Sequence, residues 1–478
     1  MTLPRPPGPQ TGMFGFASLG EMRRRYLDFW QETHRLYGDA VYMRLMNRDV
    51  YAFAHPTSIR EVLVKNAKSF IRYERIIEVH AQLHGRSVLV AEGEEWRRQR
   101  RILQPSFSTK QLEYYARQVA EAARDSLDRL TTGSPLDFEH AMNMLTIDFV
   151  LRTMFGGRVE QDTAEIERAV RLWSQISYSE MVVPMTLPDW LPLPGKAQKR
   201  WAMNVLNAFI TSQIRRRRAE KPKQDDLLGM LLALPSDDGA GSQDSERQAR
   251  DQSMAVFLAG HVTTATSLCW AAWVLASHPD VQERAAREID ELLGQREPTF
   301  ADMTQLTFLE QIVKETLRLY SPATGVIARR ATEDVQIGEW CVPKGALVSI
   351  LSFVVHRDDR WFKDPLRFDP ERFNPQNEEN IARGSYFPFG IGPRVCIGNN
   401  LASMEIKLAL AMLLQRYSLT PAPGQSEPGL LMHATMRPAG GMRLILAKRA
   451  SSSNAQIASP AKAPISFGKC PNHVASGS

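Results

Sequence analysis

Cys396 is the residue whose surroundings most clearly suggest chemistry. It sits in residues 386–398, YFPFGIGPRVCIG. Glycines at 390, 392 and 398 predict a tight loop with little side-chain bulk around the sulfur. Pro393 fixes one torsion and removes a competing donor. Phe389 offers a ring, and Arg394 brings a fixed positive charge just before the cysteine. Backbone amides of such a loop can point at the sulfur and stabilise a thiolate, the form that ligates metal. A helix predicted over 399–417 adds its N-terminal dipole on the same side. A sulfur held this way suits axial ligation of haem iron, pushing electron density toward O–O cleavage. The plain alternative is a buried, inert thiol.

Other residues carry complementary signals. Trp96 and Arg100 stand at i and i+4, so an indole N–H and a guanidinium share one helical face and can clamp a carboxylate. In residues 259–264, AGHVTT, Gly260 lets a flat group approach the backbone. Thr263 can return its hydroxyl to the Ala259 carbonyl and open a local kink. His261 titrates near neutral pH but lies about 100° round that helix. Glu315 and Arg318 are adjacent on one helix face and can pair. A buried arginine needs such a partner.

The loop pattern F-x-x-G-x-R-x-C-x-G should arise by chance in well under about one chain in a thousand. Together with W-x-x-x-R, A-G-x-x-T-T, E-x-x-R and PERF, in that order over residues 20–450, it resembles the cytochrome P450 family. The resemblance implies a mainly α fold with a smaller β-rich part, in a single large domain. Residues 1–20 would be a lead-in, 21–450 the haem domain and 451–478 a disordered tail. It implies haem b between a helix over 247–277 and the cysteine loop, with Cys396 as the iron's axial ligand. The propionates fall to Trp96, Arg100, Arg394 and, in preference to Arg330, Arg329. Phe389 and Gly398 shape the loop, and Gly260 lies against the haem. Thr263 and Thr264 are the catalytic pair, with Thr263 organising protons. Glu315, Arg318 and Arg372 act as structural support. Val262 stands where the family commonly carries Asp or Glu, so proton delivery must use water, Thr263 or a neighbouring group.

The implied reaction is monooxygenation of a small hydrophobic substrate: a fatty acid, terpenoid or polyketide. Peroxide use, desaturation, coupling or rearrangement are alternatives, as is a haem-binding sensor or ligand carrier without turnover. No flavin, dinucleotide or iron–sulfur motif follows the haem domain. Electrons therefore come ultimately from NAD(P)H through a separate ferredoxin or flavodoxin-type partner. That partner would dock on the Cys396 face, where Arg97, Arg98 and Arg101 form a basic patch. The PERF segment and the Arg394 form of the loop look more like the fatty-acid-oxidising and membrane-bound branches.

These residues need a sizeable scaffold, and 478 residues supply one large or two medium domains. Hydrophobic content of 43% and charged content of 23% are ordinary for a globular chain. A dispersed net charge of +6 points away from nucleic acid. Cys269, Cys341, Cys396 and Cys470 show no paired or metal-finger spacing, which suits a reducing, cytoplasmic setting. The most apolar run, 254–276, carries His261, Thr263, Thr264 and Thr266 and lacks interfacial flanks. It reads as a core helix rather than a membrane anchor.

Helices are expected over 21–37, from Pro56, over 110–180 and 197–234, and over 279–293 and 308–320. Strands are expected at 41–45, 50–54 and 321–330, with a closing hairpin over 431–446. Residues 72–91 read as loop with short helical pieces, 183–195 as a proline-rich turn and 235–244 as a mobile loop. Arg215, Arg216, Arg217 and Arg218 are expected to end a helix facing solvent. Apolar lining for a substrate is expected from 72–91, 170–195, 254–267, 322–328 and 432–436.

Overall fold

The computed structural model describes residues 4–449, apart from 13–14, 158–162, 184–185, 187, 192, 194, 220–225, 233–241 and 325–326. The expected tail with Cys470, and most of the expected 235–244 loop, lie outside the described residues.

Helix Ser242–Ser277 runs through the middle of the fold. Its second half is apolar nearly all round, which is the pattern of a helix buried on every side. Leu268 to Ala276 join the largest core cluster with residues of helices Phe138–Phe155, Thr307–Leu319 and Asn399–Arg416. It is the one helix among the described residues long and apolar enough to cross a bilayer, and 72% of its apolar window is buried in protein. Asp137 caps helix Phe138–Phe155 by accepting from His140 N–H at 3.0 Å. Gly156, at φ +67°, ends the same helix.

The β-rich part is a five-stranded sheet ordered Ala40–Leu45, Arg48–Phe53, Leu347–Ile350, Ile327–Ala331, Phe70–Arg72. Only the Arg48–Phe53 and Leu347–Ile350 pairing is parallel. Phe70–Arg72 pairs antiparallel with Ile327–Ala331 so that Arg72 stands opposite Arg329. That register sets one side of the functional site.

Several expectations need correction. Helix Phe16–Arg24 begins inside the expected lead-in, and a break at Arg25 separates it from helix Tyr26–Tyr37. Residues 74–84 form a full helix, Glu74–His84, where loop was expected; its apolar residues Val79 and Leu83 are i,i+4 and both buried. The closing hairpin is two separate structures. Leu430–Met432 pairs with Met436–Pro438, whereas Arg443–Lys448 joins Tyr417–Pro421 and Pro135–Asp137. Arg217 is not solvated: it is buried against Asp226, at 2.5 and 2.8 Å, and the Phe155 carbonyl, at 2.6 Å.

Candidate functional site

The cysteine loop is held by backbone geometry. Gly390 and Gly392 have φ of +73° and +77°, where a side chain is strained. A Cβ on Gly392 would also stand 2.1 Å from the Leu63 carbonyl oxygen. Gly398 differs from expectation, since its φ of −95° is open to any residue and a Cβ there would only touch the Phe107 ring. Cys396 N–H donates to the Phe389 carbonyl at 2.9 Å, closing the loop.

The Gly398 N–H bonds toward the Cys396 sulfur, and the Arg100 charge also favours a thiolate. Burial outweighs both and pushes the thiol pKa up. The loop therefore does not make a free thiolate by itself, as its amides and helix dipole suggested; a metal cation at the sulfur reverses the balance. Cys396 is nonetheless solvent-accessible. Accessibility and dominant desolvation coexist when the exposed surface lines an internal cavity. Ala259 tells the same story, being exposed in the middle of an otherwise buried helix. Val262, Ile397 and Trp96 pack on one apolar cluster, which brings the long helix, the cysteine loop and helix Gly93–Leu103 together.

Four guanidinium groups converge beside this cavity. Arg394 lies over the Trp96 ring at 3.9 Å and bonds Glu92 at 2.5 Å and the Ala91 carbonyl at 3.0 Å. Arg100 lies 5.8 Å from the same ring and donates to the Val395 carbonyl at 2.9 Å. Arg72 and Arg329 complete the group from neighbouring strands. Burial, then the neighbouring arginines, lowers Arg394 to about 9 and Arg329 to about 10. Burial and then Arg100 act the same way on Arg72, with Glu92 opposing them. Glu92 is the one carboxylate raising these groups, so the cluster carries a surplus of buried positive charge. Such a surplus is costly unless anions meet it, and two carboxylates on one planar ligand are a fitting complement. Arg330 points elsewhere and pairs with Glu74. Arg72 was not foreseen, because it lies in a stretch without period and only strand pairing brings it to Arg329.

Replacing Arg329 with Met removes one of the mutually repelling cations. The haem-free variant should be as stable as haem-free wild type or about 1–3 kcal/mol more stable in urea unfolding. Loaded protein should nonetheless release haem several-fold faster to an apomyoglobin acceptor.

Behind the loop, Glu315 and Arg318 are both fully buried and joined at 2.7 and 2.8 Å. Arg372 reaches Glu315 at 3.2 Å, and Asp369 N–H donates to it at 3.0 Å. The link to the cysteine loop is His356, a residue the motifs do not contain. Its Nδ1 lies 3.1 Å from the Arg318 carbonyl, and its Nε2 accepts from Phe387 N–H at 3.1 Å. A carbonyl only accepts, so Nδ1 carries the proton and the ring is neutral. Burial agrees, lowering its pKa to about 3.

On the long helix, Thr263 donates to the Ala259 carbonyl at 2.7 Å, the bond its spacing suggested, yet the helix stays continuous. Thr264 turns away and donates to Glu405 at 3.2 Å, both residues being buried. His261 is buried against Thr146 at 2.8 Å, and burial lowers it to about 3. A Cβ on Gly260 would meet Val150 at 3.4 Å, so protein atoms alone do not demand glycine there. Glu405 was missed because nothing in the apolar helix Asn399–Arg416 marks it apart from its being charged.

Burial raises the Glu405 pKa to about 8, with the Thr264 hydroxyl opposing it. A carboxyl raised above its unfolded value favours folding at low pH and loses that contribution as pH rises through the folded pKa. Between pH 7 and 9 wild type should lose about 1.4 kcal/mol that Glu405→Gln keeps, measured by urea unfolding.

The basic patch carries less charge than its sequence suggests. Arg97 pairs with Glu94 and Arg98 with Glu95, while Arg101 is exposed. A separate cavity of about 420 Å³ opens between the first helices, the sheet and helix Thr163–Met181. Tyr73, Ile76, Tyr178 and Met181 line it from stretches expected to face substrate; Tyr26 and Trp30 were not expected there.

The cytochrome P450 family model matches residues 4–444. Cyclooctat-9-en-7-ol 5-monooxygenase of Streptomyces melanosporofaciens is 34% identical over 81% of this chain and 84% of its own length. Pentalenene oxygenase of Streptomyces avermitilis is 30% identical over 84% of this chain and 89% of its own. A retinoic acid-bound cyanobacterial CYP120A1 structure superposes with TM-score 0.81 at 26% identity, covering 94% of this chain and 100% of that one. A fold built around an inward-facing cysteine, beside buried arginines awaiting carboxylates, thus meets family and structural likeness along the same chain: it belongs to the cytochrome P450 family and is a haem-thiolate monooxygenase that takes electrons from a redox partner.

Proposed function

We propose that this enzyme oxygenates a polycyclic terpenoid in bacterial secondary metabolism. Residues 21–450 form its haem unit, with Cys396 the axial ligand and Arg72, Arg100, Arg329, Arg394 and Trp96 holding the propionates. The observation that carries the cofactor assignment is the surplus of buried guanidinium charge beside an accessible cysteine. The substrate class rests on the two relatives, whose names denote oxygenation of terpenoid compounds. When bound, the haem thiolate activates dioxygen so that one oxygen atom enters the substrate and the other leaves as water.

The protein's own residues orient and protonate. Thr263 spends its hydroxyl proton on the Ala259 carbonyl, which leaves its Oγ1 lone pairs free to accept from a cavity water and hold it in place. Val262 packs in the apolar cluster and can hold no proton. Proton supply at this turn therefore falls to water held at Thr263. Thr264 acts as a positioning residue, tying the long helix to Glu405 on the helix that follows the cysteine. Phe389 closes the loop through its carbonyl, and Gly398 directs its N–H at the sulfur.

A ferredoxin or flavodoxin-type protein docks on the Cys396 face near Arg101, in the cytoplasm. The test is turnover with a surrogate ferredoxin and reductase across polycyclic terpenes, fatty acids and polyketide lactones. Products one oxygen heavier from terpenes are expected. Turnover of fatty acids alone would overturn the substrate class, and full activity from hydrogen peroxide without reductase would overturn the electron route.

A further inference from the structure

Glu405 is 3% exposed, and its carboxyl accepts from the Thr264 hydroxyl at 3.2 Å. A carboxylate is almost never buried this deeply without a countercharge. None among the described residues faces it: burial and the Thr264 hydroxyl are the influences on its acidity. The charged and titratable groups on the elements packed around its helix are turned to other partners. Lys407, on the same helix, bonds the Met303 carbonyl at 2.6 Å and Glu310 at 3.1 Å. Lys314 of helix Thr307–Leu319 holds Glu378 at 2.8 Å, and Glu288 of helix Pro279–Leu293 accepts from Phe308 N–H at 2.7 Å. Asp302 pairs with Arg296, His261 meets Thr146, and the Tyr417 hydroxyl donates to the Leu127 carbonyl. Tyr115 of helix Thr109–Leu127 is a phenol that burial keeps protonated. With no cation to hold its charge, the Glu405 carboxyl rests neutral at pH 7 and ionises near pH 8.

Its place in the fold decides what that proton can sense. Helix Asn399–Arg416 starts three residues after Cys396, and Glu405 is its seventh residue, about 9 Å along the axis. Across the helix interface, its partner Thr264 is next in the chain to Thr263. The carboxyl therefore links the helix that follows the axial cysteine to the turn of the long helix that holds the cavity water. Met404, Ile406, Leu408 and Ala409 around it belong to the largest core cluster, so apolar protein rather than water fills the intervening space. A charge about 10–15 Å away acts there with little screening.

We propose that Glu405 is a proton site linked to reduction of the haem iron, so that in mildly alkaline solution the enzyme takes up a proton with its first electron. The redox partner's electron goes to the ferric iron, giving ferrous iron. A proton from solvent goes to the Glu405 carboxylate, and no other bond is made or broken. Negative charge added at the iron disfavours a nearby carboxylate, so reduced protein keeps the proton to higher pH than oxidised protein. At an effective dielectric constant near 20 the difference is about one pH unit. Below the lower of the two ionisations the carboxyl is neutral in both states and the reduction potential is level. Above the higher one it is ionised in both, and the potential is level again at a lower value. Electron uptake is therefore easiest where Glu405 is neutral.

The test is spectroelectrochemical titration of the holoenzyme between about pH 6 and pH 10. Wild type should lose about 60 mV as pH rises, which is a tenfold difference in acidity converted at 59 mV per decade for one electron. Glu405→Gln keeps the size of the side chain and can still accept from Thr264, and it should hold the acid-side potential throughout. Thr264→Val removes the hydroxyl that favours the ionised form and should carry the fall to higher pH. Infrared difference spectra recorded on reduction, within the window where the potential falls, should gain a protonated-carboxyl band in wild type and none in Glu405→Gln. A purely structural role for Glu405 produces neither signature. A level wild-type potential across the range, or an equal fall in Glu405→Gln, would overturn the proposal. Should Glu405→Gln fail to load haem, Thr264→Val decides: a fall at higher pH supports the linkage, and a fall at the wild-type pH overturns it.

Discussion

Cys396→Ala, loaded with haem, reduced and treated with carbon monoxide, should lack the long-wavelength Soret band of cysteinate ligation. Its monooxygenase turnover should fall on the order of a thousand-fold or more, about 4 kcal/mol of activation free energy. The reason is local. Among the described residues, Cys396 is the cysteine that reaches the cavity, whereas Cys269 is buried with its thiol pKa pushed far up and Cys341 lies in the strand pair Val335–Ile337 and Trp340–Val342. Neither can take its place without moving a core element. The arginine group does not depend on the sulfur for its hydrogen bonds, apart from Arg100 at the Val395 carbonyl. The variant should therefore still retain haem through the propionates, with altered axial ligation. Retention of the long-wavelength band in the variant would show that another ligand holds the iron.

What could be read ahead of the structure was what is encoded at short range. The cysteine loop, Thr263 with Ala259 and Glu315 with Arg318 lie within a few residues of one another, so spacing alone determines which atoms can meet. The preference for Arg329 over Arg330 came from the family resemblance alone: alternation along a strand puts the two on opposite sides without saying which faces inward, and it is the Arg330 pairing with Glu74 that separates them in the fold. Arg72, Glu92, His356 and Glu405 were not legible. Each reaches the site through strand register, a chain return or helix packing, and no fixed spacing records those. Arg217 shows the converse error: four consecutive arginines look like a solvated helix end, but the chain comes back to set Asp226 against one of them. The acidity of Cys396 was misjudged for a related reason. The amide and dipole terms come from the loop's own sequence, whereas the burial that outweighs them comes from the rest of the fold.

Glu315→Ala should be the most destabilising single change outside the cysteine loop. Removing the carboxylate strands Arg318, a fully buried guanidinium, with only the carbonyls of His356 at 2.5 Å, Pro365 at 2.7 Å and Arg367 at 3.3 Å. Breaking one side of a buried pair costs about 3–5 kcal/mol, a large share of the 5–15 kcal/mol that stabilises an ordinary domain. The loss also reaches the functional loop. Arg318 holds the His356 carbonyl, His356 in turn holds Phe387 N–H, and Tyr386 donates to the Lys314 carbonyl at 3.0 Å on the same helix. When that chain of bonds slackens, the stretch leading into Phe389 and Cys396 loses its anchor. Expression should give mostly haem-free or insoluble protein, with any soluble fraction unfolding at lower urea than wild type. His356→Leu separates the two effects, since it leaves the Glu315–Arg318 ion pair intact and cuts the ring's links to Phe387 N–H and the Arg318 carbonyl. It should keep more of the wild-type stability yet lose haem faster than wild type. If His356→Leu held haem as wild type does, the supports would act through general core stability and not through the loop.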